Sequence, residues 1–265
     1  MLAISVGQPE SLMEYPRVML RTTALLLCAL ALAACSHAPP RNPIAEWVPS
    51  PNHDLRRPTL IVVHFTQQDS VAESLHTLST GNSHGPVSSH YLIGKDGALY
   101  QLVADQHRAW HAGAGSWGGM GDVNSFSIGI ELDNNGAEPF AEPLLQSLLV
   151  LLEDLTSRWN IPRQAVIGHS DLAPTRKVDP GPLFPWKRLH DAGFGIWPDP
   201  ALMADPPEDF DPLQALRLIG YPTDAPEATI RSFRHRFRGM EGTELDAEDL
   251  RILHALTRSP AASTR

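Results

Sequence analysis

Cysteine is scarce in this chain of 265 residues, which contains only Cys28 and Cys35. Both lie near the N-terminus, so the rest of the chain has no thiol for a disulfide or for a cysteine-ligated structural zinc site. Basic residues are also few, because 21 Lys and Arg stand against 30 Asp and Glu and give a net charge of −9. An acidic chain has no general attraction for phosphate backbones, which argues against a nucleic-acid partner.

Apolar runs are short as well, and the run at 24–34 contains eleven residues. A membrane-spanning helix needs about 20 residues, so this run predicts a secretory signal, with translation beginning at Met19. Residues 32–35 (Leu-Ala-Ala-Cys) resemble the lipobox of bacterial lipoproteins, which implies that Cys35 is lipidated and becomes the mature N-terminus. Ser36 favours an anchor on the periplasmic face of the outer membrane. An ordinary signal peptide with a chance cysteine is the alternative.

The exported part of the chain divides by composition, because proline-rich segments separate stretches with regular apolar patterns. The small C-terminal part is too short to bury a large core alone, so we expect it to pack on the main domain. The predicted organisation is a lipoprotein signal peptide at 1–35, a tether at 36–57, a main domain at 58–190, a linker at 191–211, a helical module at 212–258 and a tail at 259–265.

Short apolar strands alternate with helices in the main domain. Residues 60–65 form an almost wholly apolar run, as expected for a strand that is buried on both faces. An Asp-Gly turn at 96–97 joins two strand patterns into a hairpin, and leucines recur at helical spacing over 143–159. Further elements are predicted as strands at 127–132 and 165–168 and as a helix at 71–78. The sequence therefore predicts an α/β fold with a mixed central β-sheet flanked by helices, followed by a small C-terminal three-helix module.

Three side chains that can bind a metal lie in separate segments of the main domain. His64 lies inside the first apolar strand, and taken alone it favours a hydrogen-bonded core histidine. His169 ends a predicted strand, and Asp179 follows ten residues later, just before a rigid Pro-Gly-Pro segment. Two histidines and one carboxylate leave one position of a tetrahedral zinc open, which is typical of a catalytic rather than a structural site. The sequence therefore predicts a Zn²⁺ cofactor.

Glu131 is the candidate acid/base group. Strand alternation over 127–132 places Ile128 and Ile130 on one face and Gly129 and Glu131 on the other. A carboxylate near a zinc ion can take a proton from the attacking water. The alternative is a solvent-facing carboxylate on an exposed strand face.

Four segments together resemble a known family. They read Ile-Val-Val-His at 61–64, Arg-Ala-Trp-His-Ala-Gly at 108–113, Ser-Ile-Gly-Ile-Glu-Leu at 127–132, and the polar, proline-rich stretch at 168–182. In order and spacing they are similar to the zinc-dependent N-acetylmuramoyl-L-alanine amidases of the type 2 amidase family, which are related in fold to peptidoglycan recognition proteins. The lipobox and the helical module make the chain most similar to the outer-membrane lipoprotein branch. The resemblance implies hydrolysis of the amide bond between N-acetylmuramic acid and L-alanine in peptidoglycan or muropeptides.

The resemblance also implies roles for individual residues. The implied zinc ligands are His64, His169 and Asp179. Glu131 is implied as the acid/base, and Lys177 as the group that stabilises the oxyanion, with a surface lysine as the alternative. Trp110 and His111 are predicted to contact the substrate, although His111 reads equally well as a loop histidine held by the backbone. Ser89 stands where some members of the family carry a tyrosine, so no catalytic tyrosine is predicted.

The C-terminal module resembles the three-helix peptidoglycan-binding module. Phe233 and Phe237 share one helical face at a spacing of four residues, and Arg234 and Arg238 share another. The alternative is that the phenylalanines form a core while the arginines form a solvated face.

Two other functions stay open at this point. A non-catalytic peptidoglycan-binding receptor could have the same fold, although such receptors usually lose a zinc ligand. A lysozyme-like glycosidase could use Glu131 and Asp133, which would lie about 7 Å apart along one strand. The glycosidase reading leaves His169 and Asp179 unexplained.

Overall fold

The computed structural model describes residues 44, 48, 52, 55–83 and 85–259. Cys35, the predicted signal peptide and most of the tether lie outside these residues, so the predictions about them stay predictions. The described residues from 55 onward belong to one compact unit. Within the described part of the chain, no helix combines the length and the apolar character that crossing a bilayer requires.

A five-stranded mixed sheet forms the centre of the unit, with the strand order β3-β2-β4-β1-β5. Strand β1 pairs in parallel with β4 and β5, β2 pairs in parallel with β4, and β2 and β3 form an antiparallel hairpin. The bounds are Leu60–Phe65 for β1, Tyr91–Ile93 for β2, Leu99–Gln101 for β3, Ser127–Leu132 for β4 and Val166–Gly168 for β5. The mixed sheet that the sequence predicts is therefore confirmed.

Helices flank the sheet and form the C-terminal part of the unit. The helix Glu142–Trp159 begins with a proline in its first turn, where the missing N–H costs no hydrogen bond. The bounds are Val71–Thr80 for α1, Glu142–Trp159 for α2, His169–Leu172 for α3, Trp186–Asp191 for α4, Pro212–Ile219 for α5, Pro226–Arg238 for α6 and Ala247–Arg258 for α7.

The two faces of the sheet have different surroundings. Ile61, Val63, Ile128 and Ile130 point to one face and pack against the leucines of α2 in the largest apolar core. Leu60, Val62 and Ile167 point to the other face, where they form a second apolar cluster that includes Leu172. Side chains alternate along a strand, so His64 and Glu131 also belong to the second face. The strand register places these two residues opposite each other at the carboxyl ends of β1 and β4.

The C-terminal helices α5, α6 and α7 share an apolar core that contains Phe233, Phe237 and Leu253. The alternative of a solvated arginine face is wrong for Arg234, which is 7% exposed, and the neighbouring Arg236 is 3% exposed. Arg234 pairs inside the module with the buried Asp249. A buried guanidinium needs such a partner, because an unpaired charge away from water is strongly unfavourable.

Candidate metal centre

Three predicted ligands meet at the carboxyl ends of the central strands. His64 lies near the end of β1, His169 is the first residue after β5, and Asp179 lies in the loop that follows α3. The Nδ1 atoms of the two histidines are 2.9 Å apart, and each is 3.1 Å from Asp179 Oδ2. All three side chains are buried.

A chain of hydrogen bonds fixes the proton positions on His64. The Ser127 hydroxyl donates to Val123 O at 2.6 Å, so its oxygen accepts from His111 Nε2–H at 3.2 Å. His111 Nδ1 is then the acceptor for His64 Nε2–H, at 3.1 Å. Because a neutral imidazole carries one N–H, His64 Nδ1 keeps a free lone pair that points at the other two ligands.

A backbone carbonyl orients the His169 ring. Its Nε2 lies 2.8 Å from Ala112 O, and in the neutral imidazole the Nε2–H donates to that carbonyl and leaves a lone pair on Nδ1. In that form two lone pairs and a carboxylate oxygen converge, and a bound cation stabilises the arrangement. Two imidazoles and one carboxylate fit Zn²⁺ with one coordination position open, and hydrogen bonds orient both imidazoles from behind.

The ionisation of the ligands also suits a metal. Burial, together with the neighbouring His169, lowers the pKa of His64 to about 4. Burial raises the pKa of Asp179, but the two histidines outweigh it and bring that pKa below its ordinary value. At neutral pH His64 is therefore neutral and Asp179 is charged, and these are the forms that bind metal ions.

A cavity of about 500 Å³ opens onto the three ligands. Polar side chains from the segments around residues 66–68 and 82–83 form part of its wall. The cavity brings together every predicted site residue other than Cys35, namely His64, Trp110, His111, Glu131, His169, Lys177 and Asp179.

Glu131 faces this cavity rather than bulk solvent. Its Oε2 is shielded from solvent and has no hydrogen-bond partner among the described residues. Burial, reinforced by the charge of Asp179, raises the pKa of Glu131 well above its ordinary value, and Lys177 opposes that rise. A carboxylate with a raised pKa and a free oxygen beside a metal site is suited to accept and return a proton near neutral pH.

The two predicted substrate contacts differ in their surroundings. Trp110 is 51% exposed and lies in the cavity wall, with its backbone N–H bound to Ser88 Oγ at 2.9 Å. His111 is buried, and both of its ring nitrogens are engaged by His64 and Ser127. The substrate role of these residues stays a prediction, but the hydrogen bonds give His111 a direct role in orienting His64.

Ser127 ends the hydrogen-bond chain behind His64, and no pattern in the sequence predicts that role. Gly129 is a sequence signal for the position of His111 against β4. A Cβ at position 129 would lie 2.4 Å from His111 Cγ. Position 129 therefore has to be glycine for the His111 ring to pack against β4. The absence of a catalytic tyrosine is consistent with the geometry, since the Tyr91 hydroxyl donates to Asp105, at 2.7 Å.

Ser127→Ala is expected to weaken zinc binding about tenfold, because His111 loses the acceptor that fixes its tautomer. Competition with a chromogenic chelator measures the dissociation constant directly. Ser89→Ala is the matched control, since it also removes a buried hydroxyl, one that donates to Gly129 O at 2.8 Å. Equal zinc affinity in the two variants would contradict the role of Ser127.

Comparison with known proteins relates this chain to amidases. A family described as N-acetylmuramoyl-L-alanine amidase matches residues 54–182. The amidase AmiD of Escherichia coli (strain K12) is 41% identical over 157 residues, which span 53% of this chain and 55% of AmiD. The 1,6-anhydro-N-acetylmuramyl-L-alanine amidase AmpD of Enterobacter cloacae is 36% identical over 167 residues, which span 55% of this chain and 88% of AmpD.

A solved structure extends the similarity beyond the matched segment. The complex of E. coli AmiD with anhydro-N-acetylmuramic acid-L-Ala-D-γ-Glu-L-Lys has a TM-score of 0.68 and 34% identity to this chain. It covers 79% of this chain, and the similarity extends over 92% of the AmiD chain. The metal-ligand arrangement, the fold and the sequence therefore place this chain in the N-acetylmuramoyl-L-alanine amidase family.

Proposed function

We propose that the chain hydrolyses the amide bond between N-acetylmuramic acid and L-alanine in peptidoglycan-derived muropeptides, with Zn²⁺ held by His64, His169 and Asp179. The observation that carries the proposal is the convergence of three potential ligand atoms, 2.9 to 3.1 Å apart, in the wall of a cavity. Glu131 and Lys177 line the same cavity, which gives the site both a proton carrier and a fixed positive charge.

Different side chains have different proposed roles in amide hydrolysis. When bound, zinc supplies a Lewis acid for the amide carbonyl and makes water a stronger acid. Glu131 takes the proton from the attacking water and delivers it to the leaving L-alanine nitrogen. Lys177 lines the cavity with Glu131 and His64, and its charge lowers the pKa of both groups, so its ammonium also opposes negative charge that develops on the carbonyl oxygen.

A muropeptide is the proposed substrate for this cavity. The ligand of the AmiD complex joins anhydro-N-acetylmuramic acid to a short peptide. The cavity offers polar side chains near residues 66–68, and Trp110 presents an apolar ring. Trp110 is therefore proposed to contact the sugar or the first peptide residues.

The test is release of the stem peptide from purified muropeptides, followed by mass spectrometry. The chain carrying Cys35→Ser is used so that acylation does not interfere with purification. We expect a free peptide that begins with L-alanine, loss of release on chelation, and recovery with added Zn²⁺. Intact muropeptide that stays bound without release would favour a receptor instead.

New reducing sugar ends in the same assay would favour the glycosidase. The geometry gives that reading little support, because Asp133 is not among the residues that line the cavity with Glu131. Asp133 follows the last residue of β4, and its surroundings include Lys95 and Glu138.

Lipid anchoring through Cys35 at the periplasmic face of the outer membrane is a separate proposal. It is supported by residues 32–35 and by the short apolar run before them. Metabolic labelling with a fatty-acid analogue should mark the wild-type chain in the outer-membrane fraction, and Cys35→Ser should remove both the label and the membrane association. Label on the serine variant would contradict the assignment.

A further inference from the structure

A second group of buried polar contacts lies beside the metal centre and takes no part in the proposed reaction. Asp171, two residues after His169, is 1% exposed. Its Oδ2 accepts a hydrogen bond from Gly168 N at 2.8 Å, which closes the turn that carries His169. A carboxylate buried this deeply requires further partners.

Three of these partners come from the C-terminal helical part of the unit. The Tyr221 hydroxyl donates to Asp171 Oδ1 at 2.8 Å, and the Ser232 hydroxyl is 3.1 Å from the same oxygen. Arg236 Nη1 donates to Asp171 Oδ2 at 2.6 Å, and both side chains of this ion pair are almost fully buried. The C-terminal helices therefore neutralise the charge next to a metal ligand.

Arg236 also contacts the strand that precedes His169. Its Nη2 donates to Val166 O in β5 at 3.1 Å, and its guanidinium lies 4.2 Å from the centroid of a Trp186 ring. Helix α6 thus has two buried faces. Phe233 and Phe237 build the core of the module, while Arg236 and Ser232 one turn earlier bind the main sheet and α3.

The same backbone stretch also joins two of the ligands. Ser170 N donates to Asp179 O at 2.8 Å, so a shift of α3 moves both His169 and Asp179. The Ser232 hydroxyl contacts Ser170 Oγ at 3.1 Å. Contacts from α6 therefore reach the segment that sets the geometry of two metal ligands.

We propose that the C-terminal helices brace the metal centre, so that Arg236 and Tyr221 act through Asp171 as positioning residues for His169 and set the metal affinity. The proposal rests on the metal site of the proposed function. The family match ends at residue 182, so Asp171 lies inside the matched segment whereas its partners Tyr221 and Arg236 lie outside it.

Two buried arginines on one helix provide the test. Arg236→Met removes the partner of Asp171, whereas Arg234→Met removes the partner of Asp249 inside the module. The zinc dissociation constant of the full chain carrying Cys35→Ser is measured by chelator competition, beside the thermal unfolding of each variant. We expect Arg236→Met to raise the dissociation constant about 10- to 100-fold and Arg234→Met to change it less than about threefold.

An equal change in both variants, or no change in Arg236→Met, would overturn the brace. Tyr221→Phe keeps the test valid if Arg236→Met does not fold, because it removes one hydroxyl and leaves the ring 5.2 Å from Trp117. We expect about a threefold rise in the dissociation constant with little change in Tm. An unchanged constant in Tyr221→Phe would count against the proposal.

A double-mutant comparison separates an effect on zinc affinity that acts through Asp171 from a general loss of protein stability. If Tyr221 acts through Asp171, Tyr221→Phe has no further effect on zinc affinity in an Asp171→Asn background, whereas independent effects would multiply. Zinc affinity is measured without muropeptide, so this result does not depend on amide hydrolysis. Wild-type zinc affinity in every variant, together with normal peptide release, would overturn the brace and leave the proposed function standing.

Discussion

Asp179→Asn is expected to raise the zinc dissociation constant by more than about 100-fold and to abolish muropeptide hydrolysis. The effect should exceed that of removing a residue behind the ligands, for which losses of about 10- to 100-fold are typical. Asparagine keeps the shape of the side chain, but it removes the negative charge that faces both histidine Nδ1 atoms at 3.1 Å. The site would then offer a cation two neutral imidazoles and a weak amide ligand.

The measurement combines chelator competition with the peptide-release assay. Asp105→Asn is the matched control, because Asp105 is also a buried aspartate, and its carboxylate binds the Tyr91 hydroxyl and Trp159 Nε1 instead. The control should lose stability while it keeps zinc affinity. Tight zinc binding by Asp179→Asn would exclude Asp179 from the ligand set.

Much of the sheet and the ligand set follows from local sequence. The strands at 60–65 and 127–132 begin and end where the apolar pattern predicts, because they are buried on both faces and tolerate few polar side chains. His64 and Glu131 are polar exceptions in such strands, and both face the cavity. The other two predicted ligands, His169 and Asp179, lie in the dense polar segment that follows β5.

The hydrogen bonds around the site depend on contacts between distant segments, which no local pattern encodes. His111 reaches His64 across 47 residues, and Arg236 reaches Asp171 across 65. The helical spacing of Arg234 and Arg238 predicts a shared face, but burial of such a face depends on acidic partners in another helix. The alternative pair of Glu131 and Asp133 does not share one site, because the strand ends at Leu132 and only Glu131 lines the cavity.

Glu131→Gln is expected to lower kcat by about 10²- to 10⁴-fold while zinc affinity changes little, because its proposed role is proton transfer rather than ligation. Glutamine has nearly the same volume, so the cavity and the binding of muropeptide are preserved. The neutral amide cannot take a proton from water or return one to the leaving nitrogen. A loss confined to kcat, with KM and the zinc dissociation constant close to wild type, is the signature of that role.

Asp133→Asn is the control for this substitution, since it neutralises a carboxylate two residues away that does not line the cavity. It should leave kcat within about threefold of wild type, because its carboxylate does not face the proposed reaction site. If Glu131→Gln retained full kcat, the proton would have to travel through another group. If it lost zinc as Asp179→Asn does, Glu131 would support the ligands instead. Glu131→Gln and Asp179→Asn together therefore separate proton transfer from metal binding. The cavity that both residues line does not distinguish these roles.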